Sequence, residues 1–239
     1  MLITDLLDIT DNSVVAVVGC GGKTTLAELI AEKLRDKKVM VSTTVKIFPM
    51  KTDGAMLCTT RRQCLKHEPK RGIQCLGVMN ARSGKLEALP DSDLAVLVPL
   101  YDVSLLEADG SKGLSCKGWL DNEPVVPGYC THTVGVVATG VIGKAAKEDV
   151  VHRLREFLSL TGLRAGDAIT AQSLERMVCS PRGMFNKSAG RRYLVVNQVE
   201  DEAAVRSAKA FLHAIKEKNP GFFVRLIYGS AHHDIWREA

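Results

Sequence analysis

The chain has 239 residues, of which 46% are apolar and 25% are charged, a composition typical of a soluble globular protein. No segment reaches the roughly 18 continuous apolar residues of a membrane span, and the start of the chain lacks the basic segment of a secretion signal. The net charge of +5 is dispersed, and aromatic residues make up only 5% of the chain, which disfavours a nucleic-acid-binding protein. We therefore expect a cytoplasmic protein with no nucleic-acid or membrane partner.

The cysteines agree with a reducing compartment. Their number, seven, is odd, and no Cys-x-x-Cys pair occurs, which argues against both a disulfide framework and a zinc ribbon. We expect reduced thiols at all seven positions, namely Cys20, Cys58, Cys64, Cys75, Cys116, Cys130 and Cys179.

The first long elements in chain order are a strand and a helix joined by glycines. Residues 14–18 are all apolar, which predicts a buried strand, and residues 24–35 carry apolar side chains at helical spacing. Glycines on such a turn let backbone N–H groups approach a phosphate, while a lysine and a threonine hydroxyl reach the outer phosphates and a magnesium ion. The full pattern would require glycine at Val17, so we predict a compressed phosphate-binding loop with the sequence Gly19-Cys20-Gly21-Gly22-Lys23-Thr24-Thr25.

The remaining segments alternate between strand and helix patterns. Such alternation predicts an α/β fold, a mostly parallel sheet with helices on both faces that resembles a P-loop NTPase. We expect one domain over residues 1–239, with a small β-rich insertion at about 55–90 and a helical insertion at about 145–190. Strands are predicted at 38–42, 55–58, 73–79, 85–89, 102–107, 133–139, 192–198 and 222–228. Helices are predicted between 58 and 73 and at 91–100, 148–160, 171–178 and 201–218, and a loop at 49–54.

Two acids lie at the end of the predicted strand at 102–107. The carboxyl ends of parallel strands gather at one edge of a sheet, so Glu107 and Asp109 are expected beside the phosphate loop. There, P-loop proteins place an acid that holds magnesium directly or through water. We predict Lys23, Glu107 and Asp109 as the catalytic group and assign the metal to Thr24 and Asp109. Thr43 and Thr44 end another strand, where phosphate contact and plain β propensity are equally good explanations.

A candidate base-reading segment follows the strand at 192–198. Asn197 with a nearby acid is similar to the Asn-Lys-x-Asp motif of GTP-binding proteins, but Gln198 replaces the lysine and Glu200 the aspartate. An N-terminal cap of the helix at 201–218 explains the same residues equally well. We include Asn197 among the nucleotide-binding residues and expect little discrimination between ATP and GTP.

Several of these segments occur together in one known family. The phosphate loop, residues 42–44, Glu107-Ala108-Asp109-Gly110-Ser111-Lys112-Gly113, and residues 123–127, 151–153 and 195–199 lie in this order along the chain. Their order and sequence resemble the YqeC family of selenium-dependent hydroxylase accessory proteins. The resemblance implies a role in the maturation of molybdenum hydroxylases that depend on selenium. It also draws attention to His152 and Arg153, which can act as a proton carrier and phosphate clamp or lie in a surface ion pair.

Three functions fit these patterns. The first is a magnesium-dependent NTPase that uses ATP or GTP to assist a molybdenum hydroxylase or its maturation proteins. The second is a nucleotide-dependent switch or scaffold without turnover, since no glutamine is an obvious water-positioning residue. The third is a Mur-type ATP-dependent ligase, which shares the loop spacing but requires further domains for which 239 residues leave little room.

Overall fold

The computed structural model describes residues 1–49 and 53–239. The predicted loop at 49–54 therefore lies partly outside the described residues. Seven α-helices are found in the described part of the chain: α1 Ile3–Leu6, α2 Lys23–Lys33, α3 Arg61–Lys66, α4 Asp91–Leu97, α5 Leu154–Thr161, α6 Ala171–Cys179 and α7 Glu202–Lys218. The strands are β1 Ser13–Gly19, β2 Lys38–Thr43, β3 Met56–Cys58, β4 Gly72–Leu76, β5 Val78–Asn80, β6 Lys85–Glu87, β7 Val103–Glu107, β8 Cys116–Lys117, β9 His132–Ala138, β10 Val151–His152, β11 Arg191–Asn197, β12 Arg225–Ser230 and β13 Ile235–Glu238.

The fold is α/β with a large, mostly parallel sheet. Within the described residues, nine strands follow the order β13-β12-β11-β9-β1-β7-β2-β4-β3. Every neighbouring pair is parallel except β12 and β13, which are antiparallel. Two small sheets are separate from it, one formed by the antiparallel β5 and β6 and one by the parallel β8 and β10. The prediction of a mostly parallel α/β fold is confirmed.

Alternating side chains of the central strand enter two cores. Val14, Ala16 and Val18 pack on one face with α3 to α7, and Val15 and Val17 pack on the other face with α1 and α2. This arrangement follows from the two-residue period of a strand covered on both sides. The expected helices on both faces are confirmed.

The predicted helix at 148–160 begins only at Leu154. Residues 151 and 152 instead form β10, whose pairing with β8 is extended by a hydrogen bond from Gly118 N–H to the His152 carbonyl, 2.9 Å long. Arg153 then takes a left-handed conformation with φ of 57°, which separates the strand from the helix. The spacing of apolar residues does not show that a backbone segment pairs with residues more than thirty positions away in the chain.

Two other boundaries differ from the sequence prediction. The predicted strand at 73–79 is two strands, β4 and β5, separated by Gly77, whose missing Cβ would lie 2.0 Å from the Leu86 side chain. The last parallel strand is shifted to Arg225–Ser230, and it is followed by the antiparallel β13, which the sequence analysis does not predict.

All seven cysteines are free thiols, as expected. None of the described helices combines the length and apolar character needed to cross a bilayer.

Candidate functional site

The glycine turn after β1 has a backbone that requires glycine. Gly19, Gly21 and Gly22 all have φ near +100° (98°, 107° and 104°). A Cβ on Gly19 would lie 2.4 Å from the Val136 carbonyl oxygen, and one on Gly22 would lie 2.6 Å from Nδ2 of Asn197. Gly22 is also the N-cap of α2 and provides no side-chain cap. The first N–H groups of α2 therefore depend on an acceptor from outside the helix, and this end of a helix favours an anion.

The thiol within this turn is inert. Cys20 is fully buried, and its N–H donates to the Val136 carbonyl over 2.8 Å. Burial raises the pKa of the Cys20 thiol to about 12, so the sulfur stays protonated near neutral pH. Cys20 thus fixes the turn against β9 through its backbone and packs in the core as a small apolar side chain.

Lys23, the first residue of α2, is folded back into the protein. Its Nζ donates to the Gly19 carbonyl over 2.7 Å and lies 3.2 Å from Asp109 Oδ1 and 3.8 Å from Glu107 Oε1. Burial works against its charge, but the attraction of the two carboxylates is stronger and raises the pKa of Lys23. The loop therefore contains a charged lysine that is only 5% exposed.

Asp109 is the anchor of the turn. Its carboxylate is fully buried and accepts hydrogen bonds from Gly19 N–H (3.1 and 3.0 Å) and from Trp119 Nε1 (2.9 Å). Lys117 Nζ lies 3.6 Å away, opposite Lys23. Burial alone would raise the pKa of Asp109, but the two lysines and these hydrogen bonds hold it below the ordinary value. The Asp109 oxygens are thus saturated by protein groups.

Glu107 faces the cleft instead. Its Oε2 accepts a hydrogen bond from the Thr24 hydroxyl over 3.0 Å, and its side chain is 11% exposed. Burial raises the pKa of Glu107 despite the opposing attraction of Lys23. The neighbouring Thr43 hydroxyl donates to the Glu107 carbonyl over 2.9 Å, so Thr43 positions the strand end. Glu107 and Thr24 together present adjacent oxygen ligands of the kind that magnesium prefers.

These groups open onto one cleft of about 450 Å³. Its volume lies within the range of about 300–1,000 Å³ that small-molecule sites occupy. Four lysines and one acid, Glu107, line it, together with residues of the glycine turn and residues 110–115. The lining side chains include Lys23, Thr24, Thr25, Lys46, Phe48, Lys85, Glu107, Lys112 and Gln198. The described residues contain no cluster of three or more His, Cys, Asp or Glu that could hold a metal by itself.

Asn197 contacts the turn but not this cleft. Its Nδ2 donates to the Gly21 carbonyl over 2.9 Å, and its Oδ1 accepts from Ala231 N–H over 2.8 Å. Glu200 accepts a hydrogen bond from the Ser230 hydroxyl over 2.9 Å, and Asp201 caps α7 through Ala204 N–H over 2.7 Å. The helix-cap alternative therefore applies to Asp201, while Asn197 ties the glycine turn to the residue after β12.

A second buried lysine was absent from the sequence prediction. Lys117 is fully buried, and its Nζ donates to the Gly110 carbonyl over 2.7 Å and lies 3.1 Å from Glu123. Glu123 also forms an ion pair with Arg153. Arg153 is therefore linked through Glu123 and Lys117 to the backbone at Gly110. Burial and the nearby charge of Lys117 lower the pKa of His152, the residue before Arg153. Only the burial of β8 reveals Lys117, because a lysine beside a cysteine carries no sequence signal.

The fold and this edge define an α/β protein with a glycine turn, a buried lysine and two acids at the carboxyl ends of β1 and β7. The chain belongs to the YqeC protein family, whose family description matches residues 15–155. It is similar to the Escherichia coli (strain K12) protein named "Uncharacterized protein YqeC", with 29% identity over 179 residues that cover 72% of this chain and 70% of the relative. The family match contains the glycine turn, both acids and the Lys117 network, and ends before Asn197.

Proposed function

We propose that this protein binds a magnesium nucleoside triphosphate, ATP or GTP, in the cleft at the start of α2 and hydrolyses it. The observation that carries the proposal is the buried, charged Lys23 on a left-handed glycine turn, between two carboxylates at the end of the adjacent strand. Burial of a charged lysine to this extent is explained if the lysine binds an anion, which would replace one of its two carboxylate contacts.

The phosphates are expected at the N-terminus of α2. Gly19, Gly21 and Gly22 leave room for the β- and γ-phosphates to approach the backbone, and the N–H groups from Gly22 to Thr25 provide donors. Lys23 retains its bond to the Gly19 carbonyl and turns its charge from Asp109 toward the phosphates. Lys117 then remains beside Asp109, so the buried aspartate keeps a cationic partner.

The magnesium ion is expected on Glu107 and Thr24, with the remaining positions filled by phosphate oxygens and water. The Thr24 hydroxyl and Glu107 Oε2 lie 3.0 Å apart, so both oxygens would be available to one ion. We now rank Glu107 ahead of Asp109 as the metal carboxylate, the reverse of the sequence-based assignment. The reason is physical: Asp109 has no exposed oxygen, and its hydrogen bonds maintain the turn.

Hydrolysis in such a site rests on positioning and charge neutralisation rather than on covalent chemistry. Lys23 and the metal on Glu107 would neutralise charge on the transferred phosphoryl group, and Asp109 would hold the turn in place through Gly19 N–H. A nucleotide-dependent switch without turnover uses the same binding contacts. Gln198 is the glutamine on the cleft wall, and its left-handed backbone (φ 62°) brings it beside the phosphate loop.

The cellular role follows from the resemblance to the selenium-dependent hydroxylase accessory proteins. We propose that nucleotide turnover assists maturation of a selenium-dependent molybdenum hydroxylase, with that enzyme or its maturation proteins as the partner. The single-domain organisation over residues 1–239 is part of this proposal.

Calorimetry and phosphate release on the purified protein test the proposal together. The protein is titrated with ATP and with GTP in the presence and absence of magnesium, and phosphate is then measured over time. Magnesium-dependent binding with phosphate release supports the hydrolase, and the same binding without release supports the switch. If neither ATP nor GTP binds, both the hydrolase and the switch are contradicted.

A further inference from the structure

The cleft that contains the glycine turn also carries an exposed aromatic ring. Phe48 is 63% exposed and lines the same cleft as Lys23 and Thr24. Among the described residues, it is the only aromatic in the set of exposed large apolar side chains. The other five phenylalanines are buried or half-buried. An exposed ring that lines a cleft is suited to a flat, partly apolar ligand group.

The backbone beside Phe48 is fixed by pairing. Ile47 and Leu86 exchange two backbone hydrogen bonds of 3.0 and 2.8 Å, which join this segment to β6. Leu86 is itself only 3% exposed, so the β5–β6 pair is anchored in the protein. Lys46 forms an ion pair of 2.8 Å with Glu87, which follows Leu86 in β6. The backbone beside Phe48 is therefore fixed to the β5–β6 pair.

A cation accompanies the ring. Lys85 Nζ lies 4.9 Å from the centroid of the Phe48 ring and also lines the cleft. Lys85 therefore makes this part of the cleft attractive to a group that is aromatic and attached to an anion. A nucleotide has both properties, because its base is a flat π system and its phosphates carry the charge.

The residues that the sequence predicts for base recognition form hydrogen bonds within the protein instead. The Asn197 amide is used by Gly21 and Ala231, and Glu200 is bonded to Ser230. Neither residue lines the cleft that contains Lys23. Hydrogen-bond recognition of guanine by these two residues is thus disfavoured by the geometry.

We propose that Phe48 is the stacking platform for the nucleobase, with Lys85 beside it, and that the β5–β6 pair presents this platform to the phosphate loop. This inference rests on the proposed function, because it assigns the base end of the same ligand. Stacking accepts any base that has a π face, so affinities for ATP and GTP are expected to lie within about tenfold of each other.

Binding of three probes separates the base from the phosphates. Magnesium complexes of ATP, GTP and inorganic tripolyphosphate are titrated into the wild type, Phe48→Ala, Phe48→Tyr and Leu100→Ala. Leu100 is a matched control, since it is an exposed apolar side chain outside the cleft lining. We expect Phe48→Ala to weaken ATP and GTP about tenfold, equivalent to about 1.4 kcal/mol. Tripolyphosphate binding should stay within about twofold, and Phe48→Tyr should retain nearly full nucleotide affinity because it keeps the ring.

Each other outcome has a defined meaning. An equal loss of ATP and tripolyphosphate affinity in Phe48→Ala overturns the stacking role and makes Phe48 a structural residue. Unchanged nucleotide affinity, or a wild type that binds tripolyphosphate as tightly as ATP, also overturns it while leaving the phosphate site intact. If the wild type binds none of the three probes, the proposed function fails and the stacking inference fails with it.

Discussion

Replacement of Asp109 by Asn tests whether its charge anchors the glycine turn. The substitution keeps the size of the side chain and removes the buried charge between Lys23 and Lys117. Loss of one partner from a buried ion pair costs about 3–5 kcal/mol. Each lysine keeps one other carboxylate, Lys117 at 3.1 Å from Glu123 and Lys23 at 3.8 Å from Glu107, so we expect the lower end of that range.

Thermal unfolding provides the assay. A loss of about 3 kcal/mol lowers the melting temperature of a chain of this size by about 6–12 °C, since 1 kcal/mol corresponds to about 2–4 °C. Asp11→Asn is the control, because it removes an ion pair to Lys37 whose aspartate is 67% exposed. Exposed pairs contribute less than about 1 kcal/mol. If the melting temperature of Asp109→Asn is no lower than that of Asp11→Asn, the anchoring role of the buried carboxylate is refuted.

Three further predictions concern the metal, pH and the loop support. Glu107→Gln should remove most of the magnesium dependence of nucleotide binding in calorimetry while leaving the melting temperature within a few degrees; retained dependence would return the metal to Asp109. The pKa of Asp109 in the folded protein lies below its ordinary value of 3.8, so its stabilising effect is fully present above 3.8 and is lost as the pH falls below 3.8 through the lowered pKa. The stability difference between wild type and Asp109→Asn should therefore stay constant from neutral pH down to about pH 4 and narrow below it in unfolding experiments, and a difference that stays constant in acid would contradict this. Asn197→Ala removes two hydrogen bonds and should cost about 2 kcal/mol while weakening ATP and GTP by the same factor; a loss confined to GTP would mean that Asn197 reads the base.

The class of fold could be predicted because its signals are local. The apolar run of β1 and the helical spacing of α2 each lie within one short segment, and their alternation along the chain determines a parallel sheet. Boundaries that depend on distant pairing were missed. The start of α5 at Leu154 depends on β10 pairing with β8, and β13 exists because it pairs with β12. No local pattern contains either contact.

The candidate site shows the same division. The glycine turn and the two acids were found because each ends an apolar strand, yet their roles differ once burial is known. Spacing in the sequence made Asp109 the better metal ligand, whereas in the folded chain Gly19 N–H and Trp119 occupy its oxygens. Trp119 lies ten positions further along the chain, and only the tertiary structure brings it to Asp109.

The most direct measurement of the central claim is the affinity of Lys23→Ala for magnesium ATP and magnesium GTP. Lys33→Ala is the matched control, since it removes an ammonium group from the last turn of the same helix, where Lys33 pairs with Asp234. A lost charge-assisted contact costs about 1.5–3 kcal/mol, so we expect the variant at Lys23 to bind at least about tenfold more weakly while the control binds like the wild type. Unchanged affinity in a folded Lys23→Ala protein would contradict the assignment of this turn as a phosphate-binding loop.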